Sequence, residues 1–423
     1  MNILFVHQNF PGQFKHLAPA LASQGHRVVA LHLNPCPPIP GVELVRYPLV
    51  GRPSDQTHRW VKDFEVKTVR AESTWRAALQ LKAQGFEPDA IVAHPGWGES
   101  LFLHQVWPQA ALGLYCEFYY KNNDADVGFD PEFKDVDEGT ACRLQLKNTV
   151  FDLQFPHAKA GLSPTHFQAS LMPPSMAGKM TVVHDGIDTL RIAPNPKVRL
   201  GLKSAQGQVS LSREDEVITF VNRNLEPYRG YHSFMRALPH ILKARPQARV
   251  LIIGGDEVSY GAQPPKDAQG RAQSWKQIFL SEVKDQLDLS RVHFLGRVPY
   301  EQFLSVIQLS TVHVYLTYPF VLSWSLLEAM SAGCAIVASD TAPVREAITH
   351  DKTGLLVDFF DTQALASRVI ELCQDRSRAT SLGEAARQWA VTHYDLHSHC
   401  LGQHIAWVEN LAKKPAKKTR SKK

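Results

Sequence analysis

Arg223 and Arg229 lie at the two ends of the loop in Phe220-Val221-Asn222-Arg223-Asn224-Leu225-Glu226-Pro227-Tyr228-Arg229-Gly230. An apolar run ends at Arg223, and an amphipathic stretch begins after Gly230. Two cations bracketing a helix N-terminus make a pyrophosphate clamp, because each guanidinium grips phosphate oxygens through paired hydrogen bonds. Two surface arginines would give the same spacing. Glu328 falls about one turn inside a helix expected over 325–332, beside the apolar Leu327, Ala329 and Met330. A carboxylate in such company costs free energy unless it is paired, and two vicinal ribose hydroxyls are natural partners. The start of that helix, at Ser325, Leu326 and Leu327, would offer N–H groups to a phosphate.

Two further features lie in the first half of the chain. His94 follows the apolar run Ile91-Val92-Ala93 and precedes Pro95-Gly96-Trp97-Gly98-Glu99. A histidine at the carboxyl end of a strand can orient or polarise a substrate hydroxyl, or accept its proton. It can equally hold its own loop through a backbone hydrogen bond. Gly12, in Gln8-Asn9-Phe10-Pro11-Gly12-Gln13, lets backbone N–H groups approach an anionic ligand ahead of a helix, or simply shapes the turn.

These residues need rigid elements to place them, and the pattern supplies a candidate set. Apolar runs at 2–7, 27–33 and 90–93 alternate with amphipathic stretches such as 14–23. The rhythm restarts with strands over 217–221, 249–253, 292–295, 312–316, 335–338 and 355–357, separated by helices over 231–243, 274–287, 300–308, 325–332 and 362–389. Strands alternating with helices argue for parallel sheets covered on both faces. The stretch 191–213, rich in Pro, Lys, Ser and Gly and without clear periodicity, reads as part of a linker. Two doubly wound halves then imply a cleft between strand carboxyl ends.

With 423 residues, of which 44% are hydrophobic and 21% charged, the chain suits two globular domains and excludes a mostly disordered protein. No apolar run approaches the length that spans a bilayer, and MNILFVHQNF lacks the basic start of a signal peptide. The cysteines Cys36, Cys116, Cys142, Cys334, Cys373 and Cys400 are far apart, which fits reduced cytoplasmic thiols better than disulfides or a four-cysteine zinc site. Net charge is +5, but 413–423 holds seven basic residues and no acid; the remainder has 39 basic against 41 acidic residues, a net of −2. That tail reads as a disordered end suited to anionic lipid, worth roughly 1 kcal/mol per basic residue near the surface. No basic stripe with interleaved aromatics continues into the body, so nucleic acid is not an expected partner.

Together these segments resemble the retaining nucleotide-sugar glycosyltransferases of family 4, which have the GT-B fold. The match is strongest from Val314 to Asp358. It includes LLEAMSAGCAIVAS at 326–339, then Pro343, Arg345 and Glu346, and TGLLV at 353–357. FVNRNLEPYRGY is similar to the family's strand–Gly–Arg–loop–Lys–Gly segment, with Arg223 at the arginine and Arg229 at the lysine. VVHDGID at 182–188 looks like its interdomain turn, and IIGGDE at 252–257 and FLGRVPYEQF at 294–303 match in position. HQNFPGQFKHLAPALASQGHRV resembles the family's opening, and His94 falls where its catalytic-site histidine is found. The resemblance covers roughly 1–395. The family usually has two glutamates eight positions apart; Glu328 matches the second, whereas Phe320 stands at the first, and Ser323, Trp324 and Ser325 replace Gly, Leu and Pro. Because the first glutamate contacts the donor sugar in the family, the identity of that sugar stays open.

The resemblance implies an α/β chain with two Rossmann-like doubly wound domains facing across a cleft. They would be an acceptor-side domain over 1–190 and a nucleotide-sugar-binding domain over 191–395, with the linker within 186–213. A helix over 396–412 would cross back to the first domain, ahead of the 413–423 tail. The expected reaction moves a sugar from a nucleoside-diphosphate donor to a sugar or lipid-linked hydroxyl with retained configuration, in glycan, polysaccharide or glycolipid synthesis. No cofactor or metal is expected. His94, Arg223 and Arg229 would be catalytic; Gly12, Arg223, Arg229, Ser325, Leu326, Leu327 and Glu328 would bind the donor. The expected location is cytoplasmic, with peripheral contact at the inner membrane face. A sugar-nucleotide 2-epimerase of the same fold and a non-catalytic sugar-nucleotide-binding module are the alternatives. Asp124-Ala125-Asp126 has the look of a metal motif, and His393, His397, His399, Cys400 and His404 include i, i+4 pairs that could chelate zinc. A loop of acids and a polar helical surface are the favoured readings of these two.

Overall fold

The computed structural model describes residues 1–133, 136–204 and 207–413. The tail expected over 413–423 lies, from 414 onward, outside the described residues. In chain order the strands are β1 (Asn2–Val6), β2 (Arg27–His32), β3 (Val42–Arg46), β4 (Ala90–Ala93), β5 (Ala111–Tyr115), β6 (Ala158–Ser163) and β7 (Met180–Val182). Then come β8 (Arg199–Ser204), β9 (Gly207–Ser212), β10 (Val217–Asn224), β11 (Arg249–Gly255), β12 (Val292–Gly296), β13 (Val312–Tyr315), β14 (Ala335–Ser339) and β15 (Leu355–Val357).

Contacts divide the chain into two units. One comprises Met1–Lys121, Glu138–Asp185 and Cys400–Lys423; the other comprises Asn122–Asp137 and Gly186–His399. The first holds a parallel sheet in the order β3-β2-β1-β4-β5-β6-β7. Its central strands β1, β4 and β5 are almost wholly apolar because both faces are covered, whereas the edge strand β3 exposes Glu43 and Arg46. Ile3 and Phe5 of β1 pack with Leu17 and Leu21 of helix Leu17–Ser23 and with Trp407, Val408 and Leu411 of helix Leu401–Ala412. Leu4 and Val6 point the other way, toward Ala78 and Leu81 of helix Lys62–Ala83 and toward Phe151. Gly113 in β5 is required by this packing: a Cβ there would fall 2.3 Å from Leu411 Cδ1 and 2.6 Å from Trp407 Cη2. The helix expected to return to the first domain therefore does so, entered through a π-helical turn at Leu396–Cys400.

The second unit repeats the design in the order β12-β11-β10-β13-β14-β15, again all parallel. Phe220 of β10 stacks on Phe234 of helix Tyr231–Ala244 at 4.5 Å between ring centroids. On the opposite face Val217 and Val221 join Leu326, Leu327 and Met330 in one core. Two doubly wound parallel units are what the alternation of runs predicts.

Three local features differ from the sequence reading. The stretch 191–213 is not merely linker: β8 and β9 form an antiparallel hairpin, and Leu200, Leu202 and Leu211 enter the second core. Their period of two is short and is diluted by the Pro, Lys and Ser around it. The helical stretch 362–389 is two helices, Thr362–Gln374 and Arg376–Tyr394, divided at Asp375, whose side chain accepts the Arg378 N–H at 2.9 Å. Finally, Asn122–Asp137, which falls inside the expected 1–190 domain, groups with the second unit. Asp126, Asp130, Glu132, Phe129 and Phe133 find partners there.

Candidate functional site

In the first unit the polar residues gather where β1, β4 and β5 end. His94 immediately follows β4 and caps the 3₁₀ turn Pro95–Trp97, its Nδ1 accepting the Gly96 N–H at 3.3 Å. The ring hydrogen therefore sits on Nε2, which is 3.3 Å from Glu117 Oε2. Tyr115 stacks on the same imidazole, and His7 meets it edge-on at 5.5 Å. Both ring nitrogens are thus engaged by protein, and only 6% of the side chain is exposed, against 29% for Glu117. The carboxylate is the member of the pair that reaches solvent.

Glu117 was not singled out from sequence. It lies two positions beyond the end of β5, the signal that marked His94 on β4. Gln13 Nε2 donates to its other oxygen at 2.9 Å. Burial pushes the Glu117 carboxyl up, but the hydrogen bonds from His94 and Gln13 and the neighbouring imidazoles outweigh it and hold the group below its ordinary range. Burial, then the adjacent His94, pulls His7 down to about 3, so His7 is neutral and its Nδ1 accepts the Asn9 N–H at 3.0 Å. Gly12 closes the loop over that ring: its φ is +49°, and a Cβ would lie 2.8 Å from His7 Cε1. Gly12 opens only a 3₁₀ turn, Gly12–Phe14, and the α-helix starts later, at Leu17. No α-helix N-terminus stands at Gly12, and the glycine's visible work is the turn.

Beneath this group lies another acid. Glu99 is fully buried, accepting the Gln8 N–H at 2.7 Å on one oxygen and the Tyr47 hydroxyl on the other. Burial pushes its carboxyl up to about 7. It ties the loops after β1, β3 and β4 together.

In the second unit β10 ends at Asn224, one residue past Arg223. Arg223 is exposed, and among the described residues no hydrogen bond or ion pair holds its guanidinium. Arg229 differs. It closes the 3₁₀ turn Pro227–Arg229, is buried, and donates from Nη1 to Thr317 Oγ1 at 2.8 Å and to the Val321 carbonyl at 2.9 Å. Its guanidinium sits 5.7 Å from the Phe320 ring centroid and 5.5 Å from that of Tyr260. Gly230 permits the sharp exit into helix Tyr231–Ala244, with φ +67° and a Cβ position only 2.3 Å from Leu316 Cβ. Glu226, also missed from sequence, accepts the Ser259 and Tyr260 N–H groups at 2.6 and 3.3 Å and so fixes the loop carrying Tyr260. Burial raises its carboxyl, and those two N–H groups, then the two arginines, partly offset this.

Arg229 reaches the segment that leads into helix Trp324–Ser331, so the structure joins the loop after β10 to the loop before that helix. Ser323 caps the helix by accepting the Ser325 N–H, and its own N–H donates to Tyr315 Oη at 2.9 Å. Ser325 is half-buried, while Leu326 and Leu327 bury their side chains completely in the core. A ligand could meet those leucines only through backbone. Glu328 is half-buried one turn in, and the Tyr300 hydroxyl donates to its Oε1 at 2.7 Å. The pairing that its surroundings demand is at least partly met by this phenol.

The two discounted motifs have separate fates. Asp126 is buried and accepts the Tyr228 hydroxyl at 3.0 Å. The C-terminal histidines diverge: His393 bonds the Trp389 carbonyl, His397 lies near Asp188, and His404 faces the Val183 carbonyl. Among the described residues no three His, Cys, Asp or Glu side chains converge as a ligand set.

Comparison with known proteins adds a lineage to this geometry. Residues 24–192 match the family model described as "Glycosyl transferase family 4 group", and 203–389 match "Glycosyl transferases group 1". A D-inositol 3-phosphate glycosyltransferase from Corynebacterium urealyticum is 28% identical over 222 residues, covering 52% of this chain and 49% of that protein. A GDP-mannose-dependent alpha-(1-6)-phosphatidylinositol monomannoside mannosyltransferase from Mycobacterium tuberculosis is 24% identical over 235 residues, covering 52% and 53%. The chain spans about half the length of these curated relatives. Among solved structures, a sucrose-phosphate synthase from Thermosynechococcus elongatus superposes with a TM-score of 0.72 at 16% identity, over 97% of this chain and 99% of that one. HepE from Anabaena, solved with UDP-glucose, gives 0.65 at 15% identity over 97% and 100%. Both likenesses show the shared GT-B fold.

Proposed function

Because the chain belongs to the family 4, group 1 glycosyltransferases, we propose that it moves a sugar from a nucleoside-diphosphate donor to a hydroxyl acceptor with retained configuration. The single observation that carries this reading is the asymmetric pair of arginines on the loop after β10. Arg229 is pre-oriented by Thr317, Val321 and two aromatic rings, and Arg223 stands open at the strand end. As the diphosphate departs it gains negative charge. Guanidinium groups fixed before the reaction stabilise that charge without reorganising. The N–H groups of Ser325, Leu326 and Leu327 would add to the phosphate end of the site, and Glu328 would take a ribose hydroxyl beside its bond to Tyr300.

On the acceptor side, His94 and Glu117 work as one unit. Glu117, ionised and partly exposed, accepts a hydrogen bond from the incoming hydroxyl and so orients its lone pair. His94 holds the carboxylate from behind. Gly12 serves by letting the loop over His7 close. Family resemblance implies front-face attack on the donor sugar, so no enzyme nucleophile is required. The matched relatives are named for inositol phosphate and phosphatidylinositol mannoside, which supports a polyol or lipid-linked acceptor here, in glycan or glycolipid synthesis. The basic tail would then draw the protein to an anionic membrane surface.

Thermal stabilisation by a panel of UDP-, GDP-, ADP- and TDP-sugars, followed by product analysis with inositol phosphates and simple glycosides as acceptors, tests the proposal. Transfer with retained configuration is the expected result. Binding with neither transfer nor donor hydrolysis would reduce the protein to a binding module, and conversion of the donor sugar without an acceptor would make it an epimerase.

A further inference from the structure

The segment 122–133 leaves the chain of the first unit and packs into the second. Two aromatic rings fasten it. Phe129 lies against Tyr318, Phe359 and Phe360, and Phe133 lies against His232, Trp275 and Phe279. Glu132 adds a two-pronged ion pair with Arg236, at 2.6 and 2.7 Å. Apolar contact of this kind would be enough to hold the segment down.

Its two buried carboxylates do something more specific. Asp126 accepts the Tyr228 hydroxyl at 3.0 Å, and Asp130 accepts the Tyr318 hydroxyl at 2.7 Å while His232 Nε2 lies 3.1 Å from the same oxygen. Burying a carboxylate is costly unless hydrogen bonds compensate, so these contacts fix direction as well as proximity. The two phenols belong to the donor half-site. Tyr228 sits inside the loop between Arg223 and Arg229. Its ring meets Tyr318 at 4.6 Å and Phe320 edge-on at 5.5 Å, and its carbonyl accepts the Tyr318 N–H at 3.0 Å. Phe320 in turn supports the Arg229 guanidinium.

We propose that 122–133 is a strap that sets the donor half-site, with Asp126 and Asp130 as positioning residues that fix Tyr228 and Tyr318 and, through them, the arginine loop. The strap rests on the donor reading of that loop. It gives the Asp124-Ala125-Asp126 motif a role without a metal. It also makes diphosphate affinity depend on residues well outside the loop itself.

The test uses the full chain and calorimetric titration of UDP and GDP, with Asp126→Ala, Asp126→Asn, Tyr228→Phe and the double variant Asp126→Ala/Tyr228→Phe. Whichever nucleotide the wild type binds should bind about tenfold more weakly to Asp126→Ala and to Tyr228→Phe. The double variant should be no weaker than the weaker single variant within about twofold, because each change breaks the same link. Asp126→Asn, whose amide oxygen still accepts a phenol hydrogen, should recover most of the loss. It also carries the test if the alanine variants lose their thermal transition, since Asn at wild-type affinity beside a weakened Tyr228→Phe is then the expected pair. Wild-type affinity in Tyr228→Phe, or losses that add in the double variant, would overturn the strap while leaving the transferase reading intact. A wild type that binds neither nucleotide, nor any sugar nucleotide of the panel, would overturn both.

Discussion

His94 gives its Nε2 hydrogen to Glu117 across 3.3 Å while its Nδ1 is held by the Gly96 N–H. The histidine therefore has no free nitrogen in this arrangement, and the carboxylate carries the pair's open face.

This relationship separates binding from transfer. Glu117→Gln should lower the single-turnover transfer rate by about 10²-fold, the scale of a positioned polar group at the reacting hydroxyl. His94→Ala should do the same by loosening Glu117. Both should keep nucleoside-diphosphate affinity within about twofold, because the residues assigned to the diphosphate lie in the other unit. Calorimetry beside rapid-quench kinetics decides. Wild-type transfer in Glu117→Gln would remove it from the acceptor site.

Arg223 and Arg229 should fail differently. Arg223→Ala should weaken diphosphate binding by about 1.5–3 kcal/mol with little change in thermal transition, since among the described residues no hydrogen bond or ion pair holds that side chain. Arg229→Ala should lose affinity and also lower the transition temperature, because Thr317 Oγ1 and the Val321 carbonyl would lose their donor. Equal thermal transitions in the two variants would contradict the structural half of Arg229's assignment.

Glu99 should make stability fall with rising pH. Its folded-state carboxyl is raised to about 7, above the ordinary value of about 4.3. The folded chain therefore keeps a proton that the unfolded chain has released. That contribution is complete below pH ~4.3 and is lost as pH rises through about 7, on the order of 3 kcal/mol in all. Urea titrations from pH 5 to 8 should show a shallower decline in Glu99→Gln than in wild type. Parallel declines would mean that Glu99 is ionised throughout.

Removing 414–423 should leave turnover of a soluble acceptor unchanged, because Lys159 Nζ already finds the carbonyls of Leu411 and Lys413, both at 2.7 Å. Vesicles containing anionic lipid should bind the truncated chain less, and the difference should shrink at high salt. Vesicle binding that is unaffected by truncation would place the membrane contact elsewhere.

The parts legible in sequence were those written in short-range pattern. Strand–helix alternation declared both sheets, and the positions of Arg223 and His94 at strand ends and of Arg229 just ahead of a helix could be read from the same pattern. What the sequence hid depends on distant partners. Glu117 is one acid in Tyr115-Cys116-Glu117-Phe118, and only the fold brings Gln13 and His94 to it. Asp126 and Asp130 look like loop acids until Tyr228 and Tyr318 arrive from more than a hundred and nearly two hundred residues away. Glu328 looked open to ribose because its neighbours in sequence are apolar, and Tyr300 comes from a different helix. The hairpin of β8 and β9 was lost because four alternating apolar residues are too few to stand out from a polar stretch.

The return of helix Leu401–Ala412 to the first sheet has a consequence for how the chain is made. The face formed by Ile3, Phe5, Val28 and Ala30 is among the earliest apolar surface to be synthesised, yet Trp407, Val408 and Leu411, which cover it, are among the last. At ~5–20 residues per second the stretch from Asp185 to Leu411 takes roughly 10–45 s. Throughout that interval this sheet face is covered by helix Leu17–Ser23 but not by Trp407, Val408 and Leu411, while nearly all of the second unit emerges behind it. Slower translation lengthens that partial exposure in direct proportion.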